Sequence, residues 1–220
     1  MKNKSFRWFL PVLAFVLLWP WNTQSKSQSI EQALGQKVKS FELANSSLPI
    51  ALQRLATKYH LLVGFESLPQ LDGEPALSLN VKVEDGTVRG VLDALITKDP
   101  RYVWVPSSET VAVYPTTGRD NLMQTVITRF KVDKVDRNEA VDALLNAPEL
   151  QPALRQNKIK RREIMSLPGD TTKDLTRFSL DLRQATAREV LNAIANASHS
   201  SFWSFHRYGE QNQYFSIRVR

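Results

Sequence analysis

Three histidines, His60, His199 and His206, have the widest chemical range of any side chains in this sequence. A zinc site needs three or four convergent ligands at short spacings. These three do not form a spaced metal motif, and no cysteine is present to complete a set. Ser198-His199-Ser200 places a hydroxyl beside an imidazole, but sequence neighbours do not make a catalytic triad, and no G-x-S-x-G elbow occurs. His60 ends a helical pattern, where a cation suits the helix dipole. The paired acids Glu84-Asp85 precede another helical pattern and read as cap and dipole residues. No nucleophile, base and oxyanion donor come together, so the sequence points away from an enzyme and from any cofactor or metal.

Two other groups of side chains could do binding work. Arg155, Lys158, Lys160, Arg161 and Arg162 form the one strong cluster of charge. Such a run is either a solvated loop or a contact for an anionic partner. No aromatic residues interleave it, so it lacks the stacking platform of a single-strand nucleic-acid binder. Trp104 and Trp203 stand 99 residues apart in matching strand patterns, with Tyr102 and Phe205 on the same faces. Equivalent aromatics in two places read first as core and second as binding anchors.

The elements that must position these residues follow from periodicity. Leu77, Leu79, Val81 and Val83 alternate with polar residues as in a half-buried strand, and Val88, Val91, Leu92, Leu95 and Ile96 then recur at helical spacing. A hairpin through Tyr102–Tyr114 follows. The same order returns at Phe178–Val219, displaced by 99 residues: Thr87 matches Thr186, Val91 matches Val190, and Leu92 matches Leu191. Upstream, Phe41-Glu42-Leu43 begins a strand, and Leu48, Ala51, Leu52, Leu55, Ala56 and Tyr59 form an amphipathic helix after Asn45-Ser46-Ser47, with Pro49 in its first turn. Leu61–Glu66 is an apolar strand. This half recurs at Phe130–Leu145, displaced by 89, with Asp136 and Glu139 as an expected capping box; Thr186 and Glu189 make another. The difference between the two displacements puts about ten extra residues in the second copy, within 146–173.

The pattern predicts an α+β protein of two tandem β-α-β-β-α-β-β modules, each with two helices packed on small mixed sheets. The divisions are a lead segment 1–25, a linker 26–40 with a short helix at Ile30–Leu34, a first module 41–115, a connector 116–124, and a second module 125–220 with an insertion at 146–173. Lys2, Lys4 and Arg7 precede the apolar run Trp8–Trp21, the form of a secretory signal, with an uncleaved inner-membrane anchor as the alternative. Without residues 1–25 the chain has 26 basic and 22 acidic residues, a mild excess of positive charge.

The first unit resembles the short N-terminal domain of secretins and TonB-dependent receptors. The residues that carry the resemblance are the Phe41-Glu42-Leu43 strand, the LPIALQRLATKY helix, the LLVGFE strand, and LSLNVKVEDGTVRGVLDALI, in which Val83, Gly86, Thr87, Leu92, Asp93 and Leu95 fill the family pattern. The second unit looks like a divergent copy. The resemblance implies a periplasmic or secreted bacterial protein and a protein-interaction role with envelope proteins, accessory to a secretin or TonB-dependent system. No amphipathic membrane strands follow the second unit, so a pore or receptor is not expected. Two rival readings are a basic nucleic-acid binder, suggested by a pI of about 9.7, and a small periplasmic hydrolase or carbohydrate-binding protein. Strand addition at a sheet edge, with Tyr214–Arg220 as the candidate edge, is the expected mode of partner binding.

Overall fold

The structure, a computed structural model, describes residues 29–69, 77–107, 109–156, 160–161, 176–208 and 214–220. The apolar run Trp8–Trp21 therefore lies outside the described residues. The first half of the chain forms α1 (Ile30–Leu34), β1 (Lys37–Ser46), α2 (Leu48–Tyr59), β2 (Leu62–Glu66), β3 (Leu79–Thr87), α3 (Val88–Lys98), β4 (Tyr102–Ser107) and β5 (Thr110–Pro115). The second forms α4 (Asn121–Gln124), β6 (Val126–Val135), α5 (Arg137–Leu145), α6 (Leu150–Gln156), β7 (Lys160–Arg161), β8 (Phe178–Thr186), α7 (Ala187–Ala197), β9 (Phe202–Tyr208) and β10 (Tyr214–Val219). The protein is α+β.

Local chemistry explains most of these boundaries. The expected stripe of α2 is buried along its whole length, from Leu48 to Tyr59. Both capping boxes form: Asp136 with Glu139 at α5, and Thr186 with Glu189 at α7. At α3 the cap is Thr87, whose Oγ1 accepts from the Gly90 amide at 3.1 Å. Glu84 and Asp85 are not cap residues. They lie inside β3, with Glu84 paired to Lys82 and Asp85 in the left-handed region at φ 48°.

Two small antiparallel sheets repeat one another in detail. The β1–β3 ladder breaks register between Leu43 and Ser46, and β6–β8 breaks it between Val132 and Val135. Each break holds one residue of positive φ, Asn45 at 49° and Lys134 at 50°. In each, that residue's amide donates to a side chain on the partner strand: Asn45 N to Asn80 Oδ1 at 2.9 Å, and Lys134 N to Ser179 Oγ at 3.0 Å. Asparagine accepts this conformation readily; for a lysine it costs roughly 1–2 kcal/mol, offset here by the bulge bond.

The expectation that each copy keeps its own sheets needs correction. Six strands from both halves form one sheet in the order β4-β5-β2-β9-β10-β7. It consists of two equivalent triplets, β4-β5-β2 and β9-β10-β7, each an antiparallel hairpin with a parallel third strand. The triplets meet where β2 pairs in parallel with β9, Val63 opposite Phe202 and Phe65 opposite Ser204. Adjacent residues of a strand face opposite sides of its sheet. Val63, Phe65, Val111, Val113 and Phe202 therefore join α2, α3, β1 and β3 in one core. Leu62, Trp203, Phe205, Phe215, Ile217 and Val219 join α5, α7, β6 and β8 in another, on the opposite face.

Three assignments along the chain also change. The described part of 26–40 is not simply a linker: Leu34 of α1 and Val38 of β1 are fully buried. Within 116–124, α4 buries Leu122 and Met123, which stand 89 residues after Ala33 and Leu34. The described part of 146–173 is not only an exposed insertion: Leu150 of α6 is buried, and β7 holds the place in its triplet that β2 holds in the first.

Candidate functional site

The joining of the two triplets leaves part of the sheet uncovered. The helices of the second half pack on one face of β9 and β10, so the other face of these strands turns toward the first half, where α2 only partly reaches it. The result is a groove of about 640 Å³. Its floor carries Phe65, Phe202, Ser204, His206, Tyr208, Arg218 and Arg220. One wall is the start of α2, from Ser47 to Gln53; the other is Ser67–Pro69, Leu77 and the Asp99–Tyr102 turn. Ile50 and Leu77, 48% and 45% exposed, stand at the rim. This size lies within the range of ligand-binding clefts.

Aromatic rings pave the floor. Phe65 lies 5.3 Å from Tyr102 and 5.7 Å from His206, and His206 stacks on Tyr208 at 6.0 Å. The Tyr102 hydroxyl accepts from the Leu68 amide at 3.1 Å, and burial raises its pKa. Burial, with Arg218 nearby, pushes the His206 imidazole down to about 4. It is therefore neutral at pH 7. Ser216, opposite His206 on β10, directs its hydroxyl to Tyr208 at 3.3 Å.

The charges in the groove are uneven. Asp99 is matched by Arg101 at 2.7 Å. Arg218 is half-buried, and among the described residues no side-chain carboxylate lies within ion-pair distance of it. Arg220 reaches the Gln53 Oε1 at 3.4 Å, a long contact with an uncharged acceptor. In the wall, Ser67 Oγ is buried and has no hydrogen-bond partner. An arrangement of this kind can hold an apolar group against the rings and an anion against the arginines.

Of the residues singled out in the sequence, His206, Tyr102 and the Arg218 and Arg220 end of the candidate edge line the groove, and the others lie elsewhere. Arg155 is exposed at the end of α6, and Lys160 is exposed on β7 at the sheet margin; the Arg161 backbone pairs with Phe215. Lys158 and Arg162 lie outside the described residues. His60 and His199 are exposed, each at positive φ just after a helix. Among the described residues no cluster of three or more His, Asp or Glu could hold a metal. Trp203 is core at 1% exposure and donates its indole N–H to Asn192 at 2.7 Å; Trp104, half-buried at the margin, does the same to Asp93 at 2.8 Å. Tyr214–Arg220 is not a free edge throughout, because β7 pairs with Tyr214 and Phe215. From Ser216 onward its outer side has no strand beside it among the described residues.

His206, Arg218 and Arg220 were not visible as a site in the sequence. Ser216, Arg218 and Arg220 alternate with Phe215, Ile217 and Val219, which is the usual signature of a solvent face. Only the pairing of β9 with β2 turns that face into a groove floor.

Neither a family model, nor a curated protein, nor a solved structure matches this chain. Among the described residues no helix is long and apolar enough to cross a membrane.

The buried histidine gives a pH-dependent expectation. Its folded pKa, about 4, lies below the ordinary value of 6.5. The unfolded chain therefore binds the proton first, and stability falls as pH drops from about 6.5 to 4, by on the order of 3 kcal/mol. Urea unfolding at pH 7 and pH 4.5 should show this loss, and His206→Gln should remove most of it while the rest of the acid dependence remains.

Proposed function

We propose that this chain is a non-enzymatic protein-interaction module of the bacterial cell envelope, exported by its N-terminal segment and accessory to a secretin or TonB-dependent system. It is built of two tandem short-N-terminal-type units, and it binds its partner in the groove between α2 and the six-stranded sheet. The observation that supports this reading is the groove itself: an aromatic floor with two arginines that lack a carboxylate, at the joint of the two halves. Strand addition at the sheet edges is less well supported. At one margin, β4 carries Pro106, the equivalent of Phe205, whose carbonyl on β9 accepts from Ser67 N at 2.8 Å across the joint. A proline at that place leaves no N–H for an incoming strand.

A photo-crosslinking residue at position 50 or 77, in a bacterium producing the full chain, tests the groove. A discrete protein adduct is expected from both positions and not from position 126. Val126 is an apt control because, at 46%, it is as exposed as Ile50 and Leu77 but lies outside the groove lining. Equal adducts from all three positions, or none from 50 and 77, would refute the groove as the binding site.

A further inference from the structure

The charge pattern of the groove carries the reading one step further, on the premise that the groove is the partner site. Two arginines of low exposure elsewhere in the molecule are each matched by an acid. Arg188 pairs with Glu66, both side chains at or below 15% exposure, and Arg207 pairs with Asp120, both at or below 16%. Arg101 in the groove wall pairs with Asp99. Arg218, half-buried among Ser204, Ser216 and His206, has no side-chain carboxylate within ion-pair distance among the described residues, and neither has Arg220, which is exposed next to it on the same face. Taking a cation partly out of water without a counter-ion is costly, and an incoming carboxylate removes that cost. In the same groove Ile50 and Leu77 are exposed and the Tyr208 ring is half-buried, surfaces that reward contact with apolar side chains, and on the wall is a buried hydroxyl with no partner.

We infer that the groove selects an acidic apolar segment of a partner protein, an extended stretch in which leucine or phenylalanine side chains lie against Ile50, Leu77 and the Tyr208 ring while aspartate or glutamate carboxylates are held by Arg218 and Arg220. These two arginines are the specificity determinants. The apolar surface supplies contact to any hydrophobic segment; the arginines distinguish acidic from neutral and reject basic ones. His206, neutral beside Arg218, adds no charge of its own at pH 7, so selection rests on the arginines. Ser67 Oγ is a further donor within the same wall.

The test uses the purified chain and three fluorescein-labelled nine-residue peptides that alternate leucine and phenylalanine with glutamate, glutamine or lysine. Fluorescence anisotropy at low salt should show the glutamate peptide binding at least tenfold tighter than the glutamine peptide and the lysine peptide weakest of all. Arg218→Gln combined with Arg220→Gln should bring the glutamate peptide to the level of the glutamine peptide and leave the latter unchanged. Unaltered thermal unfolding of the double variant would show that the fold is kept. Equal affinity for glutamate and glutamine peptides, or full affinity in the double variant, overturns the inference. Its failure is separable from failure of the groove reading. A crosslinked partner segment from positions 50 and 77 with no acidic residue overturns acid selection alone. Absence of any groove crosslink overturns the premise.

Discussion

Gly64→Ala should lower the stability of the chain by about 3 kcal/mol, and Gly64→Val by more, which makes this among the most damaging single changes available. A Cβ built on Gly64 would lie 2.5 Å from Cε2 and Cζ2 of Trp203 and 2.8 Å from its Nε1. Such overlap must be relieved by movement. The indole has nowhere to go: it is 1% exposed and its N–H is fixed on Asn192 at 2.7 Å. Overpacking a close-fitted core costs about 1–3 kcal/mol even when some relaxation is available. Against a total stability of roughly 5–15 kcal/mol for a domain, the valine variant should populate unfolded chains at 37 °C. Urea denaturation checks the magnitude. A double-mutant cycle checks the cause, because Trp203→Leu should make Gly64→Ala much cheaper. Additive effects of the two changes would refute the clash.

Arg188→Met is the second large effect, expected at about 3–5 kcal/mol. Glu66 is 2% exposed, on the second-half face of β2. Its counter-ion Arg188 comes from the first turn of α7 and also approaches Gln124 at 3.4 Å. The pair therefore fastens a helix of one half to a strand of the other. Removing the arginine leaves a buried carboxylate uncompensated. The pair is not fully satisfied, since Glu66 Oε2 and Arg188 Nη2 have no hydrogen-bond partner. The charges should thus be dispensable together: Glu66→Leu with Arg188→Met should recover most of the loss. Chemical denaturation of the two single variants and the double variant decides it. A double variant as unstable as the single ones would mean that Arg188 acts through packing against Tyr114, whose ring lies 6.0 Å away, rather than through its charge.

These two residues also show how far the sequence could be read. Helices were legible because their apolar stripes and caps are local: Thr186 and Glu189 are three residues apart and needed no tertiary knowledge. The repeat was legible because both copies bury the same positions, down to Leu92 and Leu191. The α+β class followed from both. The joint was not legible. Nothing in LLVGFE or SFWSFHRY states that one will lie beside the other, and Gly64 in isolation suggests only a weak place in a strand. The basic run stands out because its charges are adjacent in sequence. Arg218 and Arg220 do not, because the groove they line is formed with a strand more than a hundred residues away. Binding surfaces assembled across a fold leave little local signal, whereas capping and amphipathic packing leave a strong one.

The parallel ladder between Val63 and Phe202 has a consequence for the order of events during synthesis. Local hairpins and helices of the first half can close as soon as residues up to Pro115 are available. The exposed side of β2 must then wait until β9 has been made, with its amides and carbonyls unpaired in the meantime. Contacts of such long sequence separation form late, since the loop entropy precedes the reward. A nascent or truncated chain lacking the last twenty residues would present an apolar strand edge beside an exposed Gly64, the kind of surface on which chains aggregate or chaperones act. The first half is thus sealed only once the chain has been made through β9.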